Sequence, residues 1–336
     1  MNKILIVFFL LAFFVVSGKP QTYSSEDLQK TNAELNKLYQ EKKYADALPL
    51  AVKAVEISEQ VFGNNHLEIA KALRNLGRIQ FFLKAQQSAE IVFEKALSIY
   101  KKLENLSQTD GADFAEMVEY LAFIKYQNQK LVDAESLFEL ALKWFEKTHG
   151  ANSFKTANSL YVLGNLHYWK EMYKISAQYY KRLFEVVFNN SHNKDISLMM
   201  VYYRAKCSYR KAGMEDDFEV IKKQYEGLKQ KPSENNAQSE AETKAENLGV
   251  INGRALLLQT PSYPSEARQA RAGGTVRVEI VIDETGKVVC ACAENKAHKA
   301  LIKSTESAAY RSRFSPTLKD GKPVMVTGTV VYKFVL

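Results

Sequence analysis

Cysteine is scarce. Only Cys207, Cys290 and Cys292 occur in 336 residues. An odd count this small excludes the disulfide framework of a small secreted domain. Cys290 and Cys292 stand two apart in a strand-like run, both on one face and out of bridging geometry with each other, so the three read as small buried hydrophobes. Catalytic signatures are missing too. No HExxH, GxSxG, CxxC or glycine-rich phosphate loop occurs, and His66, His149, His167, His192 and His298 include no pair at metal-ligand spacing. The expectation is a non-enzyme without cofactor or metal. A hydrolase whose site escapes motif reading is the alternative from another class. Long apolar runs are missing except at the start, where Met1-Asn2-Lys3 precedes thirteen apolar residues, Ile4 to Val16, and then Ser17-Gly18-Lys19-Pro20-Gln21. One positive charge, a short apolar core and a small-residue exit predict a secretory signal peptide over 1–21. As a helix the run spans about 20 Å, short of the roughly 30 Å hydrocarbon core, so cleavage is favoured over a retained anchor.

What is present argues for folded modules. Apolar residues make up 46% and charged ones 25%, an ordinary globular balance. The net charge of +8 is uneven: Gly249 to Leu336 holds thirteen Lys/Arg against seven Asp/Glu. A basic surface suits nucleic acid, anionic lipid or acidic peptide. Export excludes nucleic acid as the expected partner and leaves protein or envelope material; membrane contact requires a retained leader.

Residues 24–230 have a period. Ala47, Ala89, Ala134, Ser176 and Asp217 are spaced by 42, 45, 42 and 41 residues, with Ala54, Ala96 and Ala141 seven residues later and Gly77, Ala122 and Gly164 twelve residues before their units' markers. Residues seven apart share a helix face, so these small side chains form shallow stripes that let paired helices approach closely. Turn-rich stretches around Gly63, Gly150 and Asn189-Asn190 separate the pairs, and a glycine just past a helix end is the expected left-handed stop. Leu76-Gly77, Leu121-Ala122 and Leu163-Gly164, with Phe93, Phe138 and Tyr180 in the second helices, resemble the tetratricopeptide repeat family in its roughly 42-residue form, as in kinesin light chains. The resemblance implies an all-α helical repeat solenoid with degenerate end units and a concave groove. The groove positions it implies are Tyr39, Phe81, Tyr126, Tyr168 and Tyr209 in one column, with Phe82 and Trp169 beside it; the alternative assignment of these rings is core between repeats.

Residues 231–247 read KPSENNAQSEAETKAEN, without an aromatic or branched aliphatic residue, and predict a disordered linker reaching about 20–25 Å. Residues 248–336 then change period. Val276, Val278, Ile280 and Ile282 alternate with polar residues, Asp283 to Gly286 turns the chain and Lys287 to Ala293 returns, predicting a hairpin with one buried face. A short helix from Ser265, a second over Ala297 to Arg313 and a last strand over Val324 to Leu336 complete a small α+β domain, two helices on a three-stranded antiparallel sheet.

Tyr263-Pro264, the run GTVRVEIVIDETGKV and the run RFSPTLKDGKPVMVTGTVVYKF are similar to the C-terminal domain of the TonB family, periplasmic energy transducers. The resemblance implies binding by strand addition, in which an extended segment of an outer-membrane receptor pairs with a sheet edge. The candidate edge is Val330, Val331, Tyr332, Lys333, Phe334 and Val335. The leader is short for a motor-coupled anchor, and helical repeats stand where that family has a proline-rich spacer. The expected function is therefore an exported adaptor of the periplasm or cell envelope, with protein or peptide partners. A TonB-type energy transducer for outer-membrane transport, inner-membrane anchored by an uncleaved leader, is the alternative.

Overall fold

The structure, a computed structural model, describes residues 22–103, 105–190, 196–230, 246–294 and 296–335. The expected leader and the expected linker up to residue 245 lie outside the described residues. Two compact units divide the chain, Met1–Asn105 and Leu106–Leu336.

The first unit holds two helix pairs, α1 (Ser25–Gln40) with α2 (Tyr44–Phe62) and α3 (Leu67–Phe82) with α4 (Gln86–Tyr100). Helix α1 starts where Ser24 and Asp27 form a reciprocal capping box. His66 caps α3, its Nδ1 accepting the Glu68 N–H at 3.2 Å. Ala47, Ala51 and Ala54 are fully buried on one face of α2. Gly77 is small for a specific reason: a Cβ there would lie 2.5 Å from the Phe93 ring.

The second unit continues with α5 (Gln108–Gln127), α6 (Leu131–His149), α7 (Ala157–Trp169), α8 (Tyr173–Asn189), α9 (Leu198–Ala212) and α10 (Glu219–Gln230). The glycine-under-aromatic contact recurs at Gly164, whose added Cβ would meet Tyr180 at 3.0 Å. In both units the first helix of a pair ends in the same turn. Lys42, Lys84, Gln129 and Glu171 sit in the left-handed region, with φ of 57, 62, 60 and 62°. In each, two back-bonds close the helix: the Lys84 N–H donates to the Phe81 carbonyl at 3.0 Å and the Ala85 N–H to the Gln80 carbonyl at 2.9 Å. Gly213, with φ of 68°, ends α9 likewise, its N–H donating to Arg210 and that of Met214 to Tyr209.

That last turn corrects the ring column. Counting back from it, Arg210 occupies the place of Tyr39, Phe81, Tyr126 and Tyr168, and Tyr209 is one residue out of phase. One residue is about 100° around a helix. Tyr209 therefore turns inward, buried, 5.7 Å from the Phe218 ring.

The described residues from 246 onward hold β1 (Asn247–Val250), β2 (Ala255–Leu257), α11 (Ser265–Gln269), β3 (Gly274–Ile282), β4 (Val288–Ala293), α12 (Lys299–Arg311), β5 (Arg313–Phe314), β6 (Thr317–Lys319), β7 (Lys322–Val324) and β8 (Val326–Phe334). Strand β1 thus starts on the last residue of the expected linker. The main sheet runs β1-β8-β3-β4, its last three strands antiparallel as the sequence predicts and β1 a fourth, parallel to β8. The Asp283–Gly286 turn is held by Asp283 Oδ1, which accepts the Thr285 and Lys287 N–H groups at 2.9 Å each. Gly286 is obligatory there: its φ is 84° and a Cβ would fall 1.9 Å from the Phe314 carbonyl oxygen. Val276, Val278, Ile280 and Ile282 share a core with Leu301, Ala308 and Ala309 of α12. The sheet's other face is not solvated as expected: Val281 and Cys290 belong to the repeat core, packed with residues such as Val201 and Tyr202 of α9. Helices therefore cover both faces of the sheet.

Candidate partner-binding surfaces

In the first unit, rings of the predicted column gather at the inter-helix turns. Tyr39, Phe81 and Phe82 are each half-buried. Tyr44 stacks on Phe82 with centroids 4.8 Å apart, Tyr39 meets Phe82 edge-on at 5.9 Å, and Phe81 stands perpendicular to Phe82 at 5.7 Å. The Arg78 guanidinium lies over the Tyr39 ring, 4.3 Å from its centroid. Rings fixed by one another and still partly exposed can give a partner apolar area at little entropy cost.

The same helix position in the second unit has another environment. Tyr126 is half-buried, but Tyr168 is buried. Its Oη lies 3.1 Å from Cys207 Sγ and donates to Glu306 Oε2 at 3.3 Å. Burial, then the Glu306 charge, pushes the Tyr168 phenol well above its ordinary range, so it stays a donor. Glu306, from α12, also receives the Ala293 N–H at 2.8 Å and pairs with Lys211 Nζ at 2.8 Å, both side chains about 5% exposed. Helix α9 supplies further cations: Lys206 reaches Glu279 at 2.7 Å, Arg210 reaches it at 3.4 Å, and Arg204 donates to the Val289 carbonyl at 2.6 Å. The outer edge of β4 is therefore capped by Arg204 and Glu306 side chains.

A disulfide joins Cys207 of α9 to Cys292 of β4, with Cα atoms 5.7 Å apart. This corrects the expectation of three unbonded cysteines, which holds only for buried Cys290. The pairing leaves Cys207, Cys292 and Glu306, clustered within 4.8 Å, without free thiolates to hold a metal ion. The sequence carried no signal for it, because the partners lie 85 residues apart in different modules. Glu306, Lys211, Arg204 and Glu279 were missed for the same reason. Beside this seam a cleft of about 820 Å³ opens between Trp169 and Tyr173 on one wall and Lys299, Lys303 and Ser307 of α12 on the other, with Tyr168 and Glu306 at its floor. Trp169, 42% exposed, is the ring of the predicted set most open to solvent in this unit.

The predicted strand edge is only partly an edge. Outward backbone groups on β8 alternate with those bonded to β3. The Thr327 N–H donates to Glu246, the Thr329 carbonyl accepts from Ile251, and the Asn252 side chain bonds both backbone groups of Val331, at 2.7 and 2.8 Å. Gly328 makes room for this: a Cβ would meet Ile251 Cδ1 at 2.6 Å. Val330, Tyr332 and Phe334 are buried in the domain core. The outward positions past Asn252 are Lys333, exposed, and Val335, 73% exposed. The resident strand stops at Val331 because the chain departs there into a 3-10 turn, Asn252–Arg254, leading to β2.

Residues 38–102 and 113–187 match the tetratricopeptide repeat, and residues 259–336 match the Gram-negative bacterial TonB protein C-terminal. The chain combines tetratricopeptide repeats with a TonB C-terminal domain. No curated protein sequence matches it. Among solved structures it is similar to BtubC (BKLC) from P. vanneervenii, at 18% identity over 62% of this chain and 84% of that one, TM-score 0.44. A putative kinesin light chain of Podosopora anserina with nearly identical TPR-like repeats gives 14% identity over 59% and 92%, TM-score 0.43. YrrB, a TPR protein with an unusual peptide-binding site, gives 16% identity over 59% and 84%, TM-score 0.41. Among the described residues no helix of this tetratricopeptide–TonB chain is long and apolar enough to cross a membrane. Both modules are of types whose partners are proteins.

Proposed function

We propose that this protein is an exported adaptor of the Gram-negative cell envelope, holding one protein partner on its repeat rings and an extended segment of another on its TonB-type sheet. The observation that carries the reading is the outward margin of β8 at Lys333 and Val335, exposed beyond the point where the chain's own β1 and Asn252 end. An incoming strand would bond main chain to main chain there, extending the line that β1 begins. The repeat side of the reading rests on Tyr39, Phe81, Phe82, Tyr126 and Trp169, the predicted rings that keep exposed area. Tyr168 and Tyr209 contribute from within the fold. Two observations support export: the leader-like sequence at 1–21, and a disulfide of the kind that persists in oxidising compartments such as the periplasm.

The test is a photo-crosslinker placed at Lys333, and separately at Asn252, in cells, with fractionation and N-terminal sequencing of the mature chain. The adaptor reading expects a cleaved leader, a periplasmic protein, and a crosslinked partner at position 333 that disappears in Val335→Pro, which removes an outward N–H without touching the β3 bonds. Crosslinks equal in both backgrounds would exclude strand addition. An uncleaved leader in the inner membrane would instead favour the energy transducer.

A further inference from the structure

Glu306 and Cys292 of the chain's own C-terminal domain help to close Tyr168 off from solvent. We infer that this domain is a resident ligand of the fourth and fifth repeats, and that dithiol reduction of Cys207–Cys292 is the step that releases it. The place at the end of a repeat's first helix holds a half-buried ring in Tyr39, Phe81 and Tyr126. In the fourth repeat it is Tyr168, covered by Glu306; in the fifth it is Arg210, engaged by Glu279. The seam has the composition of a recognition surface. Four cations of one helix, Arg204, Lys206, Arg210 and Lys211, meet two carboxylates and a strand carbonyl, and an aromatic pair, Trp169 with Tyr310 at 5.6 Å, lies at its rim. With Val281 and Cys290 packed into the repeat core beside these charged groups, the seam has the apolar centre and polar rim of an interface between separable partners.

The disulfide changes that seam from reversible to permanent. While it stands, undocking cannot separate the two surfaces. The release step is a thiol–disulfide exchange. A thiolate of an external dithiol attacks one sulfur, the Cys207–Cys292 bond breaks, and a mixed disulfide forms; the second thiol of the reductant then displaces the remaining cysteine. Two electrons and two protons pass to the protein, giving two thiols, and the dithiol leaves as a disulfide. Cys207 and Cys292 are 2% and 4% exposed and lie behind Tyr168 at the cleft's floor, so the dithiol reaches them when that floor opens locally. Cys290 takes no part: it is enclosed, and burial holds its thiol at about 11, in the protonated, non-nucleophilic form. What the uncovered surface then binds rests on the adaptor reading above; the release itself does not.

Hydrogen exchange on the full-length chain, oxidised and after dithiothreitol treatment, separates the two. Reduction is verified by the mass of alkylated Cys207 and Cys292. Expected is at least a tenfold faster exchange in peptides covering Val288–Ala293, where the Ala293 N–H loses Glu306, with peptides of α5 and α6 unchanged. Cys207→Ser should show the fast exchange without reductant, and Cys290→Ser should match the wild type. Unchanged β4 exchange in fully reduced protein overturns the inference, and so does faster exchange throughout the unit, which would make the bond a general staple. Failure to crosslink a partner at Lys333 would leave this result standing and remove only the adaptor reading.

Discussion

Tyr39 and Tyr168 stand at the same place in their repeats, three residues before a left-handed turn residue, yet one keeps an exposed face and the other is buried under a second module. Tyr39 is held by neighbours of its own kind, Phe82 and Arg78, drawn from the adjacent repeat. Tyr168 is held by a disulfide sulfur and a buried carboxylate reached only because β4 and α12 dock there. A repeat position therefore fixes where a ring emerges, and what lies beyond the repeat decides whether it can receive a partner.

The buried ion pair between Lys211 and Glu306 should give the largest effect. Lys211→Met leaves Glu306 without its cation, and removing one partner of such a pair costs about 3–5 kcal/mol. The expected outcome in denaturant unfolding is a loss of that size for the second unit. Adding Glu306→Met should recover much of it, since it removes the uncompensated charge.

Repeat packing gives a graded test between the units. Gly77→Ala should destabilise by about 1–3 kcal/mol, because its Cβ would meet an enclosed Phe93 ring at 2.5 Å. Gly164→Ala meets Tyr180 at 3.0 Å and also gains helix propensity of about 0.5–1 kcal/mol, so its net effect should be near zero. Equal effects in thermal melts would show that the difference in clearance does not decide the cost.

Glu119 offers a pH signature confined to the second unit. Burial raises its carboxyl from 4.5 to about 7, opposed by a hydrogen bond from Ser159 at 2.7 Å. Between those values the folded state holds more protons than the unfolded one, so stability should fall as pH rises from about 4.5 to 7 and level off above. Glu119→Gln should flatten that slope and stabilise by about 1–2 kcal/mol at pH 8, with little change at pH 4. The smallest effect returns to the two tyrosines. Tyr168→Phe removes a donor to a buried carboxylate and should cost about 1–2 kcal/mol, whereas Tyr39→Phe should change stability by less than about 0.5 kcal/mol.

Much of this was legible beforehand. Small residues at a fixed period announced the helix pairs because close packing admits only a small side chain or none at Gly77, Ala122 and Gly164. Alternation announced β3 and β8 because a packed face buries every second residue, and the Asp283–Gly286 turn announced the return in β4. The fifth repeat's phase was not legible: a one-residue offset leaves the composition intact while rotating Tyr209 inward. Strand β1 was hidden because Asn247-Leu248-Gly249-Val250 is too short, with two apolar residues and a glycine, to display a period, and it forms through pairing with β8. The four turn residues were equally hidden, since Lys, Gln and Glu give no sign of left-handed backbone.

Local sequence alone determined the helix pairs, their period and the strand–turn–strand of the tail, because those depend on residues within a few positions of one another. Tertiary structure alone decided that Cys207 meets Cys292, that Glu306 finds Lys211, and that β8 is covered as far as Val331 and exposed after it. Those outcomes depend on surfaces brought together from segments tens of residues apart, and a pairing energy that exists only after docking leaves no periodic trace in the chain.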